Sequence, residues 1–502
     1  MSENEFQSGE EDRSPAAGQG PVKSPGPVQF QSVSSAAAKP DAADRLGVLP
    51  VGKLLLQFSL PAITGMLVSA LYNMVDRIFV GQGVNEIALG GLSLVLPLMT
   101  IHMAIAMLFG IGSANLLSMR LGQGRREEAE NALNHCFFLL IVMGIVMTVL
   151  GLVFIEPLLS ILGAQEKSEA LAYAREYLKI ILLGSSFSMV GFGFSHCTRA
   201  QGFPTVTMIG MILGAGLNMI LDPLFIFLLG WGVRGAAWAT IISQLVSTIW
   251  ILSFSLGKRV VIKLQPRHFK PSLSMVGQIM AFGSAPFLLQ FIMSAVQLLT
   301  NQSVGWYGAA ALGVENGGDI ALSGMSIAGS IIMMILMPVF GINQGAQPIL
   351  GYNYGAKRYH RVLRAYLLAV GAATAICIFG FIIVELFPQF LMSIFVPDMS
   401  EALLAFAPRA MRIAVILLPL NGFQIVSTNM YVVTGRPKVS IFLSLLRQCI
   451  VLIPCMLIFG SIWGLWGVVA AGPVADGFSF ILTAVMISFE LRKLRRESAG
   501  LH

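Results

Sequence analysis

The stretch IALGGLS at residues 87–93 returns, with two letters changed, as IALSGMS at residues 320–326, a separation of 233. The same separation joins Gly112 to Gly345, Gly122 and Arg125 to Gly355 and Arg358, and QGFPTV at 201–206 to TGRPKV at 434–439. GVRGAAWA at 232–239 matches GLWGVVAA at 464–471 with a separation of 232. Pro61 and Ser69-Ala70 match Pro286 and Ser294-Ala295 at 225, so the second copy carries eight additional residues between those points. A nearly constant offset held over so many elements marks an internal duplication. The chain is therefore read as two copies of one unit.

Composition says what kind of unit this is. The 502 residues are 56% hydrophobic and 11% charged, with a mean hydropathy of +0.78, which excludes a water-soluble globule and points to a polytopic membrane protein. Apolar runs such as 134–155 and 366–387 are long enough to cross a hydrocarbon core of about 30 Å as helices. Twelve such spans are expected between residues 54 and 489, six per copy. With the N terminus inside, the inside segments hold 24 of the 32 Lys and Arg residues and the outside segments six, an imbalance that puts both termini in the cytoplasm. Six helices are an even number, so both copies enter and leave on one side. The two lobes are then related by a pseudo-two-fold axis along the membrane normal.

The expected organisation is a disordered cytoplasmic tail over 1–46, a first lobe over 47–256, a cytoplasmic connector over 257–275, a second lobe over 276–490 and a basic cytoplasmic tail over 491–502. The first tail is rich in Ser, Pro, Gln and Gly and contains no apolar run. It lacks the basic and apolar regions of a signal peptide, so the first span serves as the insertion signal. The net charge of +7 is scattered over short loops, which suits phospholipid headgroups and not nucleic acid. Five cysteines without CxxC spacing read as packing residues. GVLPVGKL at 47–54 ends in Leu where a phosphate-binding loop needs Ser or Thr. No catalytic motif or ATP-binding module is visible, so no cofactor is expected beyond a coupling ion.

Polar side chains inside the spans carry the mechanistic content, because the helix already satisfies the backbone. ALYNMVDRIFVG at 70–81 holds Asp76 beside Arg77, and a charge at the membrane centre costs roughly 2.5–3.5 kcal/mol. Tyr72 and Asn73 share a helix face with Asp76 one turn on. In the fifth span NMILDPLF sets Asn218 and Asp222 at i, i+4, and in the sixth WATIISQ sets Thr240, Ser243 and Gln244 on one face. Meeting in one bundle, these groups would form a carboxylate pair ringed by amides and hydroxyls. Two carboxylates in one apolar site cannot both ionise cheaply, so the pair can hold a proton or a monovalent cation. The plainer alternative is a static Asp76–Arg77 pair or a position at headgroup level; adjacent helical residues point about 100° apart, which lets Arg77 snorkel outward alone.

The second copy does not repeat this chemistry: Asn301, Val451 and Cys455 stand at the repeat positions of Asp76, Asn218 and Asp222. It has instead Arg447 and Asp476 on successive helices, most simply a structural ion pair, with substrate contact as the other reading. Met99, Met103 and Met107 form a stripe, and Met333, Met334 and Met337 occupy the corresponding helix of the other copy. Such surfaces suit either varied ligands or plain packing and lipid contact. His102 reads as a satisfied interior residue.

NMVDRIFVG in the first span, GSANLLSMRLGQG after the second, TRAQGFP and NMILDPLF around the fifth, and the repeated TGRP before the eleventh resemble the multidrug and toxic compound extrusion (MATE) family over residues 53–490. The resemblance implies an all-α protein with two six-helix lobes around a V-shaped cavity, exporting bulky, often cationic organic compounds in exchange for protons or sodium. Carried over by position, the coupling group is Asp76, Asn218, Asp222 and Thr240, with sodium, where used, at Asp76, Asp222 and Asn218. The substrate cavity candidates are Tyr72, Asn73, Gln244, Met103, Met337 and Gln290. Some branches have an acid in the seventh span, where this chain offers Gln290, or Asp early in the tenth, where it has Asn421; this shifts the coupling to the first lobe. The expected partners are a small-molecule substrate and the bilayer, for a monomer in the plasma (inner) membrane. The rival readings are a flippase for lipid intermediates, which would need a strongly cationic cavity where only Arg447 lies deep, and a membrane enzyme or receptor without transport.

Overall fold

In the computed structural model the described residues, 42–83, 86–161, 169–257, 260–265, 272–313, 317–394 and 400–499, form helices joined by short turns. Ten helices are long and apolar enough to cross a membrane, and two bent pairs bring the number to twelve. The chain is a multi-pass membrane protein. The first three spans are Val51–Gly83, Glu86–Gly122 and Arg126–Val153. The fourth is a pair, Glu169–Leu183 and Ser185–Ala200, bent by 58°. Pro204–Pro223, continued by a π turn at Leu224–Leu228, makes the fifth, and Gly232–Leu256 the sixth.

The second copy repeats this order. Leu273–Leu312, Gly317–Gly355 and Tyr359–Leu386 are spans seven to nine, and the pair Glu401–Val415 and Leu418–Val433, bent by 45°, is the tenth. Pro437–Leu445, a π segment at Leu446–Leu452 and Ile453–Trp463 form the eleventh, and Leu465–Ser498 the twelfth. Even the linkers obey the duplication: a short helix follows the third span at Ile155–Ile161 and the ninth at Pro388–Ser393. Positive φ recurs at Gly202 (101°) and Gly435 (80°), each before a proline at the first helical position. A left-handed residue there ends one helix, and the fixed φ of proline starts the next.

The lobes meet through spans one and eight and spans two and seven, the same pair of contacts seen from either side of the pseudo-two-fold. Small residues let these backbones touch. A Cβ on Gly122 would stand 1.9 Å from the Tyr352 carbonyl oxygen, and one on Gly355 would stand 2.1 Å from that of Met119. Met119 and Tyr352 are themselves repeat partners, so the two close approaches are one contact duplicated by symmetry. Gly112 against Ile279, Gly283 against Leu108, and Gly341 and Gly345 against Ile63 and Ser59 extend the seam. All of it lies toward the end of the bundle where spans one and seven begin and spans two and eight finish. We refer to this as the closed end.

Two boundaries expected from sequence change. Residues 42–46 belong to the short helix Ala42–Val48 and not to a disordered tail. Asn353 Nδ2 donates to the Leu46 carbonyl at 3.0 Å, Arg358 to that of Gly47 at 2.7 Å and Arg361 to that of Leu49 at 2.5 Å. At the other terminus the last helix runs on to Ser498, where a Lys493–Glu497 pair one turn apart supports it. Residues 1–41, most of the connector charge at 258–259 and 266–271, and residues 500–502 lie outside the described residues.

Candidate functional site

Asp222 is the most deeply buried acid of the described chain, at 0% exposure. It closes the regular part of span five: Pro223 follows it, and the helix then relaxes into the π turn Leu224–Leu228. Proline has no N–H to give the carbonyl four residues back, and such wide turns are frequent at functional sites. Asn218, one turn earlier and also buried, donates from Nδ2 to Asp222 Oδ1 at 3.1 Å. The other oxygens, Asp222 Oδ2 and Asn218 Oδ1, have no hydrogen-bond partner.

Span one brings Asp76 close to Asp222. A third element completes the group. Tyr177, buried in the first half of the bent fourth span, turns its ring toward Thr240 of span six and lies in the neighbourhood of Asp76, Tyr72 and Asp222. Thr240 in turn donates to the Ala236 carbonyl at 2.9 Å, which fixes the hydroxyl. Four spans of the first lobe therefore converge on two carboxyl groups, one amide and three hydroxyls, those of Tyr72, Tyr177 and Thr240. Placed side by side out of water, the carboxyl groups repel unless one is protonated or a cation stands between them. The orphaned acceptor oxygens suit either occupant, since a hard monovalent cation takes oxygen ligands.

The remaining candidates distribute as follows. Tyr72 belongs to the cluster. The side chains of Asn73 and Arg77 lie outside the described residues. Gln244, Gln290 and Met337 are half-buried and Met103 is 40% exposed, and among the described residues none of these four hydrogen-bonds to the acids. His102 hydrogen-bonds the Ser188 hydroxyl at 2.7 Å. In the second lobe Arg447 Nε donates to Asp476 Oδ1 at 2.6 Å, and Asn421 Nδ2 to Asp476 Oδ2 at 3.2 Å. Asn301, at the repeat position of Asp76, is exposed and accepts from Gln297 at 2.8 Å.

Sequence reasoning did not single out Tyr177. The signal was a tyrosine on a helix edge between Glu176 and Lys179, which reads as a wet surface. Glu176 faces away and pairs with Arg234 at 2.6 Å, and the next position on the helix turns inward.

The sequence pattern of the MatE family matches residues 61–224 and again 285–458, once per lobe. Multidrug export protein MepA of Staphylococcus aureus is 27% identical over 445 residues, covering 88% of this chain and 94% of that one. Its namesake from Staphylococcus haemolyticus is 27% identical over 447 residues with the same coverage. Among solved structures, an outward-facing multidrug resistance MATE family transporter of the MOP superfamily superposes with a TM-score of 0.84 at 26% identity, over 91% of this chain and 99% of that one.

Proposed function

We propose that this chain, which belongs to the MatE family by matches in both of its halves, is a cation-coupled antiporter that exports bulky, often cationic organic compounds from the cytoplasm. The names of its relatives, multidrug export proteins, support the substrate class. The observation that carries the coupling is the meeting of Asp76 and Asp222 in one lobe, with Asn218, Tyr177 and Thr240 around them.

In this reading the closed end faces the cytoplasm, together with both termini, and the protein works as a monomer in the plasma membrane. With the cavity open outward, a proton or a sodium ion enters between the two carboxyl groups and removes their repulsion. Spans one and five then pack more closely, and the organic cation is released outside. The carrier returns inward holding the ion. Only differential affinity for the two arrangements can drive such a cycle. Moving one charge through 100 mV supplies about 2.3 kcal/mol, about a fifty-fold bias. The Arg447–Asp476 pair, tied to Asn421, serves as a fixed strut of the second lobe.

The test is export of a fluorescent organic cation from proteoliposomes with an imposed pH or sodium gradient, one at a time. Asp76→Asn and Asp222→Asn should each abolish gradient-driven export while membrane insertion stays normal. Full activity in both variants would sink the assignment.

A further inference from the structure

The end of span four turns charge into the interior. Arg199 is 2% exposed. One terminal nitrogen donates to Gln344 Oε1 of span eight, across the lobe boundary, and its Nε has no hydrogen-bond partner. Among the described residues no carboxylate forms an ion pair with it. Next to it Asn115 of span two is 1% exposed, and its Nδ2 is unpartnered as well. Asn115, Ser118, His196 and Arg199 from one lobe, with Gln344 and Gln347 from the other, line a small cavity with room for about one water-sized sphere.

Withdrawing a guanidinium from water without a counter-charge costs several kcal/mol. A water molecule in the cavity would accept from Arg199 but would leave the charge uncompensated. The two orphaned groups, Arg199 Nε and Asn115 Nδ2, are both donors, and the Gln344 acceptor oxygen is already engaged. An occupant that accepts hydrogen bonds and carries negative charge suits these two donors better than water does.

We infer that this cavity is a binding site for a small monovalent halide anion, held by Arg199 and Asn115 at the seam between the lobes and admitted as the flexible Gln344 and Gln347 side chains give way. Its walls come from both lobes, so the anion is bound only while the closed end is shut and favours that arrangement. The site is separate from Asp76 and Asp222 and stands whichever cation couples transport.

The test uses the full-length protein in potassium gluconate, replaced stepwise by potassium bromide at constant ionic strength. Bromide should raise the Tm saturably, and crystals grown in it should show anomalous density within hydrogen-bonding distance of Arg199 and Asn115. Arg199→Gln and Asn115→Leu should each lose the Tm response, and Arg364→Gln, at an exposed position, should keep it. If Arg199→Gln does not fold, Asn115→Leu and the wild-type density decide. The inference is overturned by a wild-type protein indifferent to bromide, by a response that survives in both site variants, by bromide found only elsewhere, or by a response to anionic phospholipid in gluconate without one to bromide.

Discussion

At Tyr177 a single buried hydroxyl lies near Thr240 and the two acids. Tyr177→Phe keeps the packing and removes only the buried hydroxyl near Thr240 and the two acids, a polar group whose interactions are worth about 0.5–1.5 kcal/mol net. Export should fall about two- to tenfold in the proteoliposome assay with insertion unchanged; an unaltered rate would remove Tyr177 from the site. Arg447 calls for a different experiment, because its partner is the more buried of the two, at 8% exposure against 33%. Arg447→Gln leaves the Asp476 charge with Asn421 alone and should destabilise by about 1–3 kcal/mol after allowance for the exposed guanidinium. Arg447→Met combined with Asp476→Leu should recover most of that loss in Tm. The acids Asp76 and Asp222 were legible because helical spacing and the cost of buried charge are local properties. Tyr177 and Arg199 were not, because their burial depends on how spans four, two and eight pack, which no local pattern records.

Among elements, spans two and eight approach most closely where Gly122 meets Tyr352 and Gly355 meets Met119. Adding even one methyl group there forces backbone apart, an overpacking that costs about 1–3 kcal/mol. Gly122→Val and Gly355→Val should each hold the closed end ajar. The readout is a cysteine at position 118, a buried seam position packed on Gly351, in a cysteine-free background: its maleimide labelling should accelerate at least several-fold in both variants, and by similar factors. Unequal or absent effects would deny that the two contacts are symmetry copies. The twelve spans and their duplication could be read from the repeated strings. The bends within spans four and ten coincide with Gly184 in one and with Pro419, in the first turn of the second helix, in the other; a lone glycine or proline in an apolar run marks a break without telling its angle.

For the whole molecule, the entry segment of each lobe is fastened to the opposite lobe. Residues 46–49 hang on Asn353, Arg358 and Arg361, and the segment before span seven is held at Ile262, Gln265 and Ser272 by Gln201, Asn134 and His135, each at 3.0 Å. Arg361→Ala removes the bonds to Leu46 and Leu49 and the support of Asn353 Oδ1. It should shift the population away from the closed end, again read as faster labelling at position 118, with no loss of folded protein.

This crossed fastening also imposes a schedule on biosynthesis. The carbonyls of Leu46 and Gly47 find their donors 307 to 315 residues further along the chain. At about 5–20 residues per second of synthesis the segment that leads into span one waits on the order of 15–60 s for the side chains that complete it. Nascent chains arrested before Asn353 should therefore remain cleavable by protease between residues 42 and 50, and full-length chains should not.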